Sequence, residues 1–338
     1  MTVQAVHRSI GWAVAALLAG VCGLPTAVSN VHLQQQDSGV RVLIDGEHFT
    51  TYLLTGHAKP ILFPIHAAGG TCVTRSWPMR ADNAEDPHDH PHHESLWFAH
   101  GNVNGIDFWT HKAVTPGGPQ PSITHESVRT CTSGATGVLE TTNRWCAADG
   151  SVVCTDFRRL EFFGTQTART IDFALTIRAD HGAVTFGDTK EGTMSMRVHP
   201  ALQLPDATRP QAATGRIVNS EGLRDVDVWG QPARWVDFSG VIDNQSLGIA
   251  ILDHPGNLRH PTRWHARGYG LCTANPFGLH AFSSVPKGTG DWTIPAGGNL
   301  TLRYLFIVHS GDAATAAIEN HWQRWIKVTW TGKPALIP

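Results

Sequence analysis

Alternation of apolar and polar residues over short runs dominates the chain and predicts β-strands. In residues 171–177 the odd positions are Ile, Phe, Leu and Ile, whereas the even positions are Asp, Ala and Thr. Gly- and Pro-rich turn signals separate the apolar runs, for example at 116–119 and 296–299. Further strands are predicted at residues 40–44, 138–145, 151–162, 247–252 and 300–308.

Only the C-terminal segment has helical periodicity. Ile318, Trp322, Trp325 and Ile326 fall at positions i, i+4, i+7 and i+8, and Asp312 is placed to cap the helix. Strands and helices do not alternate, which argues against a doubly wound parallel sheet. We therefore predict an all-β fold, a large antiparallel β-sandwich of the supersandwich kind with a C-terminal helix. Function is expected on long loops at 77–95, 200–215 and 253–295.

The N-terminus has the features of an export signal. Arg8 supplies a positive charge, and the apolar core at residues 10–21 is too short to span a bilayer. Ala27 and Ser29 are small residues suited to a cleavage site. We predict a signal peptide at 1–29 and a single domain at 30–338, exported to the periplasm or the medium. No second apolar run is long enough for an integral membrane span.

Composition narrows the classes of partner. Of the 338 residues 41% are hydrophobic and 16% are charged, so the chain can build a substantial core. The formal net charge of -2 gives no basic footprint, which excludes nucleic acid as a partner. The 12 tryptophans against 3 tyrosines are unusual and indicate that some indoles lie outside the core.

Residues 87–109 contain five histidines, more than packing requires. Imidazole titrates near neutrality, and its neutral form binds metals. His88, His90 and His92 are spaced by two, so in an extended conformation they share a face and could hold a divalent metal. A solvated loop without a ligand is the alternative. His93 is a candidate for proton transfer, as is His100, which is otherwise a satisfied core histidine.

The Asn104-Gly105 dipeptide predicts a hairpin turn. On the strand expected after that turn, Asp107 and Trp109 point the same way. A carboxylate beside an indole suits a sugar, whose apolar face packs on the ring while the acid binds hydroxyls. Asn104 is either a turn residue or a further contact to that sugar.

Two more clusters combine charged groups with apolar strands. Lys190 and Glu191 form either an exposed ion pair or an acid/base pair. The candidates in the last cluster are Asp253, Asn257, Arg263, Trp264 and His265, with Asn275 from a neighbouring Gly/Pro loop. Because each cluster borders an apolar strand, we expect segments 88–109, 188–199 and 253–265 to line one cleft.

The longest of these motifs resemble a known family. Residues 90–93 and 96–109, followed by 190–192, 229–240 and 253–278, resemble the signature of the bacterial PmoA-like family, often labelled "methane oxygenase PmoA". The resemblance covers roughly residues 45 to 310 and departs from the usual pattern at Glu94-Ser95, where Arg-Gly is common. The family's occurrence beside sugar oxidoreductases implies a carbohydrate context. A distant likeness to galactose-mutarotase-like sandwiches is a fold-level analogy.

We therefore expect an exported carbohydrate-active enzyme, a lyase, hydrolase or epimerase, that works by general acid/base chemistry. His93 or His100, together with His265, would move protons, and Asp107 and Asp253 would orient the imidazoles or hold sugar hydroxyls. The expected sugar contacts are Asn104, Trp109, Lys190, Glu191, Asn257, Arg263, Trp264 and Asn275. No cofactor is required under this hypothesis. The alternatives are a copper-type oxidase or oxygenase with metal at His88, His90 and His92, and a non-catalytic glycan-binding module.

Overall fold

The computed structural model describes residues 29–113, 115–206 and 213–328. The predicted signal peptide, apart from Ser29, lies outside these residues. Within them, two eight-stranded antiparallel sheets pack face to face, with strands numbered here in chain order. The first sheet contains, in spatial order, β1 (Val31–Gln36), β2 (Gly39–Ile44), β3 (Glu47–Leu53), β4 (Ile61–Ile65), β5 (Leu96–His100), β11 (Gly192–Arg197), β16 (Leu271–Asn275) and β15 (Arg263–Trp264).

The second sheet runs over the other side of the core. Its strands, in spatial order, are β12 (Arg216–Asn219), β13 (Trp235–Ile242), β14 (Gln245–Asp253), β18 (Asn299–Ser310), β9 (Ala168–Arg178), β8 (Val152–Gly164), β7 (Gly137–Cys146) and β6 (Ser122–Thr132). The remaining elements are a ribbon of β10 (Val184–Phe186) and β17 (Trp292–Ile294), helices α1 (Leu279–Phe282) and α2 (Ile318–Trp325), and 3-10 turns at Pro200–Leu202 and Asp225–Val228.

Alternation along each strand divides the side chains between an inner and an outer face. Phe98 of β5 meets Trp145 of β7 with ring centroids 6.1 Å apart, so Phe98 points between the sheets. Trp97, its neighbour, therefore points to the outer face of the first sheet. On the second sheet, Trp322 and Trp325 of α2 cover the outer face over β13, β14 and β18. The core thus lies between the sheets, and the outer face of the first sheet is covered by loops.

The predicted all-β sandwich with a C-terminal helix is confirmed, and the strands predicted from alternation are present. Three local expectations were wrong. Helix α2 begins at Ile318, and Asp312 instead accepts a hydrogen bond from the Thr315 amide in a preceding turn. The segment 253–295 is not one loop, since it contains β15, β16, α1 and β17. No strand follows the Asn104 turn, because residues 108–110 form another turn.

None of the described helices is long and apolar enough to cross a membrane.

Candidate functional site

Three adjacent strands place polar and aromatic side chains on the outer face of the first sheet. Ser195 of β11 is in register with Trp97 of β5 on one side and with Thr273 of β16 on the other. His265 continues the row, because its backbone exchanges hydrogen bonds with Thr273 at 3.0 and 3.2 Å. Side chains in register point to the same face of a sheet. Trp97, Ser195, Thr273 and His265 therefore share the outer face.

The loop after the predicted metal cluster folds His93 onto this face. The His93 ring stacks on Trp97 with centroids 5.5 Å apart and meets Trp109 edge-on at 5.6 Å. His90 stacks on the other rings of the group, 4.7 Å from His93 and 5.3 Å from Tyr269. Only 1% of His93 is exposed, so the imidazole is an interior group at the base of the loop.

Two buried arginines organise the same loop. Arg75 and Arg197 both donate to Oδ1 of Asp89, at 2.6 and 2.8 Å. Both guanidinium groups are inaccessible to solvent, whereas the Asp89 side chain is 39% exposed. Arg75 also donates to the backbone carbonyls of Pro87, Asp89, His90 and His93. The histidine-rich loop is therefore held from below by the buried guanidinium of Arg75.

Arg197 also fixes the protonation of His93. Its Nη1 lies 3.2 Å from His93 Nδ1. A guanidinium has no acceptor, so Nδ1 must accept, and in the neutral ring the proton is on Nε2. Burial, together with the charges of His92 and Arg197, holds the pKa of His93 far below its usual range. His93 is therefore a neutral hydrogen-bond donor through Nε2.

Several polar atoms in this group are buried without a partner among the described residues. They are Nε2 of His93, the indole nitrogens of Trp97 and Trp109, and Oγ of Ser195. Buried polar groups in folded proteins are almost always hydrogen-bonded, if only to water. These buried atoms thus leave unused hydrogen-bonding capacity beneath the histidine-rich loop.

A second charged group lies beside Trp97. Nζ of Lys59 donates to Oε2 of Glu94 at 2.7 Å and lies 5.6 Å from the Trp97 ring. Oε1 of Glu94 is 2.7 Å from His57 Nδ1. Burial disfavours the charge on Glu94, but Lys59 and the hydrogen bond from His57 outweigh it and lower the pKa to about 2. Glu94 is thus a paired carboxylate.

A cleft of about 500 Å³ opens beside Arg197. We call it the Arg197 cleft. Its polar lining consists of Glu85, Asp89, Arg197, Gln203, Asp206 and Tyr269. Leu204 and Val226 contribute to an apolar wall. Nε of Arg197 and Nε2 of Gln203 are buried and have no partner among the described residues. The cleft therefore combines carboxylate acceptors with unsatisfied nitrogen donors.

Tyr269 stands between this cleft and the aromatic group. The Arg197 guanidinium lies over its ring at 4.6 Å and that of Arg267 at 5.8 Å. Among the described residues, no hydrogen bond to its hydroxyl is present. Burial raises the pKa of Tyr269, and the two arginines oppose that shift. The hydroxyl is therefore protonated at neutral pH and able to donate a proton.

His265 is the other predicted residue with a usable ring nitrogen. Its Nδ1 is 3.1 Å from the Lys190 carbonyl and donates to it, which leaves the lone pair on Nε2 in the neutral ring. Burial lowers the pKa of His265 to about 4. Lys190 and Glu191 form a loose surface pair, with Nζ and Oε1 3.7 Å apart. Of this pair, only the Lys190 backbone contacts His265.

His100 lies on the inner face, away from His93. It is three residues beyond Trp97 on β5, and its ring contacts Phe186 and Phe277 in the core. Its Nε2 is 2.8 Å from the Gly187 carbonyl. Burial lowers the pKa of His100 to about 4. The structure therefore does not bring His100 together with the outer-face residues.

Several residues predicted to contact a sugar are instead engaged in hydrogen bonds of nearby turns or are buried. Asp107 accepts from the amides of Trp109 and Thr110 and from the Thr110 hydroxyl. Asn104 has a φ of 52° in its turn and bridges to the backbone of the 183–185 segment. Trp109 is fully buried, so its ring offers no open platform. The expected Asp107 and Trp109 pair on a strand is replaced by a capped turn.

The C-terminal candidates divide between the two sheets. Asp253, on β14 of the second sheet, accepts from Asn257 at 2.7 Å and pairs with His260 at 2.7 Å. Asn257 in turn holds the Arg303 backbone. Asp253 and Asn257 therefore fasten the 254–262 loop to the second sheet. Of the third predicted segment, His265 shares the outer face of the first sheet with residues of the other two segments, whereas Asp253 and Asn257 do not.

Arg263, Trp264 and Asn275 belong to the hairpin of β15 and β16. Trp264 is fully buried, and its indole donates to the Ala233 carbonyl at 2.9 Å. Arg263 donates to the Gly230 carbonyl at 2.7 Å. Asn275 accepts from the amides of Phe277 and Gly278 and donates to the Thr189 carbonyl. These contacts stabilise the hairpin and the turn after it.

The histidines proposed as metal ligands diverge. His88 stacks on Trp77 at 5.1 Å, whereas His90 stacks on Tyr269. The positive φ of His90, 45°, interrupts the extended conformation that would align the three rings. Burial lowers the pKa of His92 to about 4. No group of three or more His, Cys, Asp or Glu side chains in the described ranges is arranged to hold a metal.

Sequence reasoning missed Arg75, Asp89 and Tyr269 as site residues. A usable signal existed for Arg197, which follows the alternating Met194-Ser195-Met196 and so shares the outer face with Ser195. No local pattern links Arg75 to Asp89, because the contact joins two irregular segments.

These features define an all-β sandwich in which buried arginine and histidine side chains meet a partly exposed aspartate beside a polar cleft. The chain belongs to a family of unknown function, DUF6807, whose sequence model matches residues 39–323. That description assigns no activity and does not include the PmoA label. No curated protein matches the chain in sequence.

Solved structures similar to the chain include three named as carbohydrate-active enzymes. The α-galactosidase from Lactobacillus brevis is 9% identical, with a TM-score of 0.41, and the match covers 86% of this chain and 41% of that one. A β-arabinopyranosidase is 10% identical, with a TM-score of 0.30 and coverage of 85% and 39%. A polysaccharide lyase is 12% identical, with a TM-score of 0.28 and coverage of 84% and 33%. The chain thus spans at most 41% of their lengths, and the likeness concerns the fold alone.

Proposed function

We propose that the chain is a carbohydrate-active enzyme and that the Arg197 cleft binds its sugar. The observation that carries the proposal is the pairing, within one cleft, of carboxylates with nitrogen donors that lack partners. A sugar hydroxyl both donates and accepts. Asp89 and Glu85 can accept from hydroxyls, while Nε2 of Gln203 can donate to them. The apolar wall at Leu204 and Val226 suits the C–H face of a sugar ring.

The proposed chemistry is general acid/base catalysis. Tyr269 carries a hydroxyl proton, and His265 carries a lone pair on Nε2, so the two provide opposite functions. His93, a neutral donor through Nε2, would hydrogen-bond a developing oxygen charge and not remove a proton. These roles fit reactions in which a proton leaves or reaches a sugar, as in elimination, hydrolysis and epimerisation.

A panel of oligosaccharides tests the proposal. Wild-type protein is assayed for new reducing ends, for unsaturated products by ultraviolet absorbance, and for epimers by ion chromatography. On a converted glycan we expect Tyr269→Phe and His265→Gln each to lower turnover by roughly 10²–10⁴-fold, the usual contribution of an acid or base. His181→Gln is the matched control, because His181 is exposed and outside the cleft.

The outcomes separate the alternatives. Binding of a glycan without any product would favour the non-catalytic glycan-binding module. Absence of both binding and turnover across the panel would contradict the proposal. Equal turnover in the wild type and in both site variants would remove Tyr269 and His265 from the mechanism.

A further inference from the structure

We infer that the outer face of the second sheet carries a separate binding site, which takes an organic anion with an apolar body. The site lies beside helix α2, away from the Arg197 cleft, and the inference does not rest on the proposed function. It follows from the shape of a groove on this face and from the partners of each charged group in it.

The groove is the part of the face that α2 leaves uncovered. Helix α2 packs over β13, β14 and β18, and the edge strand β12 lies beyond it. A cavity of about 550 Å³ opens there, and we call it the β12 groove. Trp235, Ser239 and Val241 line it from alternating positions of β13, which face the same side. At about 3.3 Å per residue this lining is roughly 20 Å long, so the groove suits an elongated ligand.

Apolar side chains cover much of the groove. Val218 of β12 and Ile318 of α2 stand on its two sides. The turn before α2 contributes Ala313, Ala314 and Ala317, whose small side chains leave the cavity open. Removing apolar surface from water favours binding, so these residues can hold the apolar body of a ligand.

Two arginines on the β12 side have no carboxylate partner among the described residues. Arg216 is in register with Ser239 and therefore shares the outer face. Arg224 also lines the groove, next to Val218, to which its backbone forms a β-bridge. The Arg216 side chain donates to the Gly215 carbonyl at 3.1 Å, which uses one of its five N–H donors. The remaining donors suit the paired oxygens of a carboxylate or sulfonate.

Two carboxylates line the opposite side of the groove, and both are already hydrogen-bonded. Asp312 accepts from the Thr315 amide at 2.8 Å. Glu319 accepts from the Trp235 indole at 2.8 Å and lies 3.3 Å from Arg234. The formal charges of the lining therefore balance, but the cations stand on the β12 side and the anions on the α2 side. A ligand anion is directed to the β12 side, because the acids repel it from the other.

Two fluorescent probes with the same aromatic body test the role of charge. 8-Anilinonaphthalene-1-sulfonate carries a sulfonate, whereas N-phenyl-1-naphthylamine has the same rings without it. Both are titrated into the full protein at low and at high salt. We expect Arg216→Gln/Arg224→Gln to weaken binding of the sulfonate probe roughly ten-fold at low salt, as is usual for lost hydrogen bonds to a charged group. Binding of the neutral probe should stay within about two-fold, and high salt should reduce the loss for the sulfonate probe.

Two further variants locate the site. Arg129→Gln/Arg178→Gln is the matched control, because these arginines line another depression on the same sheet, and it should leave both affinities unchanged. Ala314→Trp fills the groove from an exposed position and should weaken both probes. Unchanged binding of the sulfonate probe by Arg216→Gln/Arg224→Gln would overturn the inference, and so would unchanged binding of both probes by Ala314→Trp. Turnover at the Arg197 cleft is measured separately, so either failure leaves the proposed function standing.

Discussion

Arg197 donates a hydrogen bond to Nδ1 of His93 across 3.2 Å, and this contact sets the tautomer of the His93 imidazole. Because a guanidinium cannot accept, the imidazole must present Nε2–H to its surroundings. The tautomer of a histidine in the histidine-rich loop is thus set by an arginine about a hundred residues further along the chain. Proton removal would fall to a different ring, that of His265.

Nitrogen-15 NMR of the imidazole groups tests the tautomer. We expect His93 to show a protonated Nε2 and an unprotonated Nδ1, with no titration between about pH 5 and 8, since burial and neighbouring cations depress its pKa. In Arg197→Met the donor to Nδ1 is lost, and the spectrum should move toward a mixture of tautomers. A His93 that titrates near pH 6.5 in the wild type would show that the ring is not held as described.

Asp89→Asn tests the charge balance under the loop. Asp89 is the carboxylate shared by two buried guanidinium groups, and removing its charge leaves both without that anionic partner. We expect a loss of about 1–3 kcal/mol in the free energy of unfolding, measured by urea denaturation. Asp82→Asn is the control, because the Asp82–Arg80 pair is about half exposed and should change stability by under about 0.5 kcal/mol. Equal effects of the two variants would contradict the structural role of Asp89.

The strands and the C-terminal helix were accessible from sequence because their signal is periodic and local. The alternation over residues 171–177 gives β9, and the i, i+4 and i+7 spacing of Ile318, Trp322 and Trp325 gives α2. The same alternation, applied to β5, separates His100 from Trp97, since positions three apart face opposite sides of a strand. Closeness in sequence therefore grouped His100 with histidines that lie on the other face of the sheet.

The rest of the site depends on contacts that leave no local trace. Asp253 and His265 are twelve residues apart, yet one belongs to the second sheet and the other to the first. Conversely, Arg75, Asp89 and Arg197 meet from three separate segments. A mixture of acids, imidazoles and indoles marks polar, buried regions but does not distinguish a ligand site from a satisfied network. Asp253, with its three internal hydrogen-bond donors, is an example of the latter.

His309 should make stability fall at alkaline pH. Burial opposes its charge, but the hydrogen bond and charge of Asp237, 2.7 Å away, outweigh burial and raise the pKa above 6.5. The folded state then holds a proton that the unfolded state has released, so this contribution is complete below pH 6.5 and is lost as the pH rises through the raised value. Urea denaturation at pH 6 and pH 9 should show a larger decrease for the wild type than for His309→Gln.

A second buried histidine, His100, provides the control for this comparison. His100 has a lowered pKa, so His100→Gln should alter stability on the acid side, below pH 6.5, and leave the alkaline decrease intact. Parallel pH profiles for the wild type and His309→Gln would show that the His309–Asp237 pair is not charged in the folded protein.

The hypothesis of a metal at His88, His90 and His92 and the proposed mechanism at the Arg197 cleft predict opposite effects of substituting His88. His88 stacks on Trp77 and does not line the Arg197 cleft. We therefore expect His88→Ala to keep turnover within about two-fold of wild type, as is usual for a surface position. His93→Gln should lower turnover by roughly 10²–10³-fold, the usual cost of losing a hydrogen bond to a developing oxygen charge. Metal analysis of the purified proteins accompanies the assay, with circular dichroism to check folding. If His88→Ala removed a bound metal and the activity together, the metal hypothesis would be correct and the cleft mechanism wrong.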